Sequence, residues 1–185
     1  MARLYSIGYG NRTWQATLTL LENYSCEFLI DVRSSPFSKF NPDFSRENLQ
    51  RLCAGAGIKY VFMGDTLGGK PSGLDSFDHD GKVDYLRLAE TPAFQLGLAR
   101  LKTAHQKGLV CFLMCSELRP ETCHRCKLIG AELSESGIEI IHISETGGEL
   151  TQDAAVKRLT GGQDDIFGSN PELTRSRGSY RGGGG

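Results

Sequence analysis

The chain reads as one α/β domain: a Rossmann-like, three-layer arrangement with a mostly parallel sheet of about five strands and helices on both faces. Three observations predict it. Short apolar segments recur at 3–8, 27–32, 59–63, 109–114 and 138–143, each of strand length. Between them lie stretches with apolar residues at helical spacing, which is the rhythm of strands joined by crossover helices and buried on both sides. Finally, 185 residues at 39% apolar content supply one core of ordinary size but not two.

Arg3 to Gly8 forms the first predicted strand, and Thr13 to Asn23 a helix with Leu18 and Leu21 on one face. Glu27 to Val32 follows as the second strand. Ser45, with Asn48 three positions on and Leu49, Leu52 and Cys53 behind it, opens the next helix, and Lys59 to Met63 is the third strand. Asp65 to Lys82 carries Gly68, Gly69, Gly73, Gly81 and Pro71 with little periodicity, so it predicts a long loop of the kind that covers sites. Helical patterning from Val83 to Gln106, broken at Thr91-Pro92, leads to the strand Leu109 to Met114. A helix from Pro120 and a last strand, Ile138 to Ile143, complete a domain over residues 1–147. Residues 148–160 read as a short helical extension, Gln152 to Leu159. Residues 161–185 read as a disordered Gly/Arg-rich tail, a linker rather than an RNA-binding arm, because they lack the apolar content that offsets ordering entropy.

A net charge of −1 provides no global field for nucleic acid, so contact with phosphates would need a local patch. No segment approaches the roughly 20 apolar residues of a membrane span. The six cysteines, at 26, 53, 111, 115, 123 and 126, follow an N-terminus, M-A-R-L-Y-S-I-G, without an apolar leader. The expectation is a cytoplasmic protein with reduced thiols and no membrane contact.

Ligands of open parallel sheets bind outside the carboxyl ends of the strands. Collected there are Gly8-Tyr9-Gly10-Asn11-Arg12, Asp31-Val32-Arg33, Gly64-Asp65, Cys115-Ser116-Glu117 and Ser144-Glu145. Gly8 and Gly10 lack the third glycine of a dinucleotide fingerprint, so NAD is not expected. Asp31 and Arg33, two apart, share one side of a strand end, either to bind a ligand or to stitch loops together. Ser35 to Phe44 carries three Phe beside Lys39 and Asn41, a set that stacks a base or simply closes a loop on the core.

The densest chemistry is Cys115 to Cys126, C-S-E-L-R-P-E-T-C-H-R-C. Metal binding fits poorly: C-x7-C-H-x-C holds one ligand pair where structural zinc uses two, and Cys123 and Cys126, three apart on the predicted helix, could both face the core. Thiol catalysis fits better, because Cys115 ends a strand before a helix N-terminus with Arg119 near, which lowers a thiol pKa. A third chemistry uses Glu117 as acid, base or nucleophile, with His124 and Arg33 or Arg125 on an anionic group.

The stretches S-I-G-Y-G-N-R, L-I-D-V-R-S-S-P-F-S-K-F-N-P-D-F, G-I-K-Y-V-F-M-G-D-T-L-G-G and M-C-S-E-L-R-P-E-T-C-H-R-C resemble the domain of unknown function 488 family, DUF488, over about residues 3–145. Among the residues the resemblance selects, Cys115, Glu117 and His124 are expected to be the catalytic set. Asp31, Arg33, Asn41, Gly68, Gly69, Cys123 and Arg125, also selected, are expected to bind substrate. The resemblance names no cofactor, and no metal is expected. The expected function is that of an enzyme acting on a small anionic, nucleotide-like or nucleic-acid-borne substrate. The rival is a non-enzymatic ligand- or metal-binding module.

Overall fold

A computed structural model describes residues 3–71, 73, 75–162 and 170–180. Strands β1 (Leu4–Gly8), β2 (Phe28–Asp31), β3 (Lys59–Phe62), β5 (Cys111–Cys115) and β6 (Ile140–Ile143) form a parallel sheet, ordered β3-β2-β5-β1-β6. A sixth strand, β7 (Glu149–Thr151), adds antiparallel to β6. This is the predicted mostly parallel α/β sheet with one strand more than the five expected. The extra strand is only three residues long and one of its three is apolar, too little to show alternation.

Strand pleating sorts the side chains into two cores. In β5, Cys111, Leu113 and Cys115 face one layer while Phe112 and Met114 face the other. In β1, Leu4 joins the first layer and Tyr5 and Ile7 the second. The second layer is roofed by helices α1 (Trp14–Asn23) and α2 (Arg46–Gly55) through Trp14, Leu21, Leu49 and Cys53. The first is roofed by α3 (Gly64–Leu67), α4 (Tyr85–Ala89), α5 (Pro92–Gln106) and α6 (Ala131–Glu135) through Leu67, Leu88, Phe94, Leu98 and Leu133. Each such fully buried Leu or Phe contributes about 1.5–3 kcal/mol over exposure.

Local chemistry sets the helix starts. Thr13 accepts a bond from the Ala16 N–H at 3.2 Å, and Thr91 caps α5 with Pro92 in its first turn. The Thr91-Pro92 break therefore starts a new helix. Upstream of it stand the strand β4 (Lys82–Asp84), which the periodicity of Val83 to Gln106 does not reveal, and α4. Helix α7 (Gln152–Thr160) is capped by Thr151 and ends at Gly161, whose φ of 65° suits glycine.

Two regions differ from the sequence reading. No regular helix begins at Pro120. A 3₁₀ turn, Pro120–Thr122, leads to Cys123 in extended conformation (φ −109°, ψ 151°), and a π-helical stretch, Arg125–Gly130, precedes α6. The second difference lies in the tail. Within the span read as disordered, residues 170–180 hold a short helix, α8 (Pro171–Thr174), and a strand, β8 (Arg175–Ser179), paired antiparallel with β4. Ion pairs and backbone bonds hold this segment, which apolar content does not foretell. Residues 163–169 and 181–185 of that span lie outside the described residues. Among the described residues no helix is long and apolar enough to cross a membrane.

Candidate active site

The carboxyl ends of β1, β2 and β5 open into one crevice of about 190 Å³, bounded by Tyr9, Arg33, Ser34, Gly69, Cys115, Glu117 and His124. Gly8 allows the ends to meet. A Cβ there would stand 1.9 Å from the Glu117 carbonyl oxygen, so only glycine lets the loop after β5 cross the end of β1. The Tyr9 and Gly10 N–H groups then bond the Cys115 and Ser116 carbonyls at 3.1 and 3.0 Å.

At the crevice floor three reactive groups converge. His124 Nδ1 lies 3.6 Å from the Cys123 sulfur and 4.0 Å from the Cys115 sulfur, while its Nε2–H donates to the Val32 carbonyl at 3.0 Å. Cys123 reaches this place because its backbone is extended. It therefore leaves the register with Cys126 that a helix would impose, although both thiols are buried. The neighbouring Cys123 thiol holds the Cys115 thiol well below the usual range; His124 and Arg125 add to this, and burial opposes it. Burial pushes Cys123 well above its ordinary value, and its bond to Cys115 adds to the rise. Burial alone would lower His124, yet the adjacent Cys115 thiolate raises it. The shifts at the floor run in opposite directions, Cys115 toward the thiolate and Cys123 toward the thiol, with the His124 ring beside both. The other buried cysteines are chemically quiet: burial raises Cys111 to about 11 and both Cys53 and Cys126 to about 12.

Arg125 is fully buried beneath the floor and turned away from the opening. It donates to the Cys123 sulfur at 3.3 Å, to Ser6 Oγ at 3.0 Å and to the Glu117 carbonyl at 2.6 Å. Behind it runs a polar chain with forced polarity. Ser6 Oγ–H donates to His142 Nδ1 at 2.6 Å, His142 Nε2–H to Gln152 Oε1 at 2.7 Å, and Gln152 Nε2–H to the Cys126 carbonyl at 3.0 Å.

Asp31 and Arg33 form a bidentate buried pair at 2.8 and 2.6 Å. Arg33 also donates to the Phe44 carbonyl and to Tyr9 Oη, and the Tyr60 hydroxyl donates to Asp31 at 2.8 Å. Arg33 borders the crevice, but most of its donors are engaged. Gly69 packs on the His124 ring and Gly68 on Ser34, whose hydroxyl accepts the Lys70 N–H at 2.9 Å. Asn41 lies away from the crevice and donates to the Arg12 carbonyl, and Arg12 in turn bonds the carbonyls of Gly8, Ser144 and Glu145. Arg119 pairs with Glu121 rather than with Cys115. Phe44 is buried against Tyr9, whereas Phe37 and Phe40 are exposed, Phe37 on the crevice rim.

The residues with this geometry can be set against known proteins. The profile of the family described as Domain of unknown function DUF488 matches residues 13–133. The chain belongs to the DUF488 family. The DUF488 match takes in every crevice residue from Arg33 to His124, and leaves out β1, β6 and the α8–β8 segment. No curated protein matches the chain.

Four neighbours of the site escaped the sequence reading. Lys70 and Tyr85 lie on or after the Gly-rich loop, and Arg177 and Tyr180 come from the tail. Only Lys70, beside the Gly68-Gly69 pair, carried a usable signal. Cys115, Cys123 and His124 also offer three metal-donor atoms within 4.8 Å of one another.

Proposed function

We propose that this DUF488 protein is an enzyme in which Cys115 is the nucleophile toward a small anionic, nucleotide-like or nucleic-acid-borne substrate. The carrying observation is the Cys115–His124 pair, in which the sulfur at the end of β5 borders the crevice and the imidazole, fixed by the Val32 carbonyl, stands 4.0 Å from it. In this reading the Cys115 sulfur attacks an electrophilic atom of the substrate, and the leaving group departs with a proton from His124. Glu117, on the crevice wall, then deprotonates a water that releases the substrate fragment from sulfur. Arg125 supports the sulfur charge from beneath. The crevice volume of about 190 Å³ is below the roughly 300–1,000 Å³ of sites that enclose drug-sized ligands. It fits the reactive end of a substrate whose remainder lies outside, along Phe37.

The test is iodoacetamide labelling at pH 6.5 with peptide-level mass analysis. Cys115 is expected to react at least about tenfold faster than glutathione, as its lowered pKa requires. A Cys115 no faster than glutathione, or Glu117→Gln and Cys115→Ser variants both active on a substrate turned over by the wild type, would sink the reading.

The three donor atoms favour one other reading, a metal-binding module. Sulfur and nitrogen donors at about 2.3 and 2.0–2.1 Å on a tetrahedral zinc stand roughly 3.5 Å apart. The Cys123–His124 separation of 3.6 Å fits that spacing, and the His124 Nε2–H bond to a carbonyl is the usual outer support of a histidine ligand. Elemental analysis and native mass spectrometry of freshly purified protein decide between the two. One zinc per chain, lost in Cys123→Ser, would assign the cysteines to the metal.

A further inference from the structure

Residues 170–180, outside the family match, close one side of the crevice. We propose that this strap supplies the cation that recognises the substrate's anionic group, Arg177, and that the group is a phosphate monoester. This rests on the reading that the crevice takes an anionic substrate.

The strap is built into the fold. β8 pairs with β4, the Tyr180 N–H bonds the Gly81 carbonyl at 2.8 Å, and buried Ser176 accepts the Val83 N–H at 2.9 Å. Arg175 pairs with Asp78 and Asp80 at 3.3 and 3.5 Å. Strand alternation turns Arg177 away from the side on which Ser176 is buried, and Arg177 and Tyr180 both border the crevice.

Counting the crevice's cations by what they already hold leaves few for a ligand. Arg33 is occupied by Asp31, Tyr9 and the Phe44 carbonyl. Lys70 stands 4.7 Å over the Tyr180 ring and stays close to the opening. Arg177 is exposed and makes no ion pair among the described residues. Its planar fork matches two phosphate oxygens, and Lys70 adds a point charge. The Tyr180 and Phe37 rings at the same opening offer faces to whatever carries the phosphate.

Phenyl phosphate tests this, titrated calorimetrically into the full chain at low salt, with benzyl alcohol as the uncharged control. Wild type is expected to bind the phosphate and not the alcohol. Arg177→Ala should weaken binding at least about tenfold, as loss of a charge-assisted bond implies, and Arg177→Lys should recover part of it. Arg177 is exposed, so neither variant disturbs folding. Binding unchanged in Arg177→Ala, or no binding by the wild type at millimolar probe, would overturn the proposal. Iodoacetamide labelling of the same preparations reads the nucleophile separately. An ordinary Cys115 with Arg177-dependent phosphate binding leaves the strap standing, while a fast Cys115 with Arg177-independent binding overturns the strap alone.

Discussion

Nδ1 of His124 stands 4.0 Å from the sulfur of Cys115 although the two residues sit on different elements, one at the end of β5 and the other after a 3₁₀ turn. The extended Cys123 that follows the turn places a second sulfur beside the first. A regular helix from Pro120 would have carried Cys123 along its own axis instead. The reactive cluster therefore depends on a local departure from helical geometry, resolved by the π-helical stretch that resumes the chain's course.

The first prediction concerns the two supports of the Cys115 thiolate. The lowered pKa of Cys115 means that its alkylation should reach its plateau at a lower pH than that of an ordinary thiol. Cys123→Ala removes the largest support and should move the inflection upward. His124→Asn, which removes both a charge and a hydrogen-bond partner, should move it in the same direction. A profile unmoved by Cys123→Ala would show that the thiols do not share a hydrogen bond.

A second prediction tests whether the Asp31–Arg33 pair is architecture. Both side chains are buried, and the carboxylate holds the guanidinium by two bonds while Tyr60 donates a third to Asp31. Asp31→Asn leaves a buried cation without its counter-charge, which costs about 3–5 kcal/mol. Urea denaturation should show the midpoint falling with an unchanged slope. A loss below about 1 kcal/mol would mean that Arg33 finds acceptors elsewhere.

How much of this could be read from sequence follows from what each feature depends on. Parallel strands of nearly pure apolar residues predict the sheet, and the rule that ligands gather at carboxyl ends brings Asp31, Arg33, Cys115, Glu117 and Gly64 to one edge without further information. Ser6 was also within reach. Alternation along β1 places it in the same layer as Leu4, opposite Tyr5 and Ile7, where a lone hydroxyl needs a partner. That the partner is His142, 136 positions away, is a tertiary fact. Arg125 shows the limit most clearly: beside His124 it reads as an anion-binding cation, and only burial reveals that its donors point at protein atoms. The strand β8 was hidden for a different reason, since R-S-R-G-S has no apolar pattern and is held by backbone pairing and acidic partners about a hundred residues upstream.

The third prediction comes from His142. Burial lowers it from 6.5 to about 4, and its two ring nitrogens are committed to Ser6 and Gln152. The unfolded chain therefore binds a proton between these values that the folded chain refuses. Stability contributed by the neutral ring is fully present above pH 6.5 and is lost progressively as pH falls through about 4, a change of about 3 kcal/mol. Chemical denaturation at a series of pH values should show this decline, and His142→Gln should flatten it while lowering stability at pH 7. An equal acid decline in the variant would assign the effect to other groups.

The fourth prediction uses Gly69, where the Gly-rich loop touches the floor of the crevice. A Cβ at this position would lie 2.6 Å from Cγ of His124 and 2.8 Å from its Nδ1, closer than real contacts permit. The ring cannot retreat easily, because its other nitrogen is bonded to the Val32 carbonyl and it is almost wholly buried. Gly69→Ala must therefore displace either the loop or the imidazole. Gly69 contributes no side chain to the core, so the cost in stability should be about 1–2 kcal/mol. The imidazole's position decides its coupling to Cys115, so displacing it should raise the apparent pKa of thiol alkylation as His124→Asn does. The double variant should add little to either single change, because both act through one ring. Additive shifts would show that Gly69 acts on the crevice by a route other than His124.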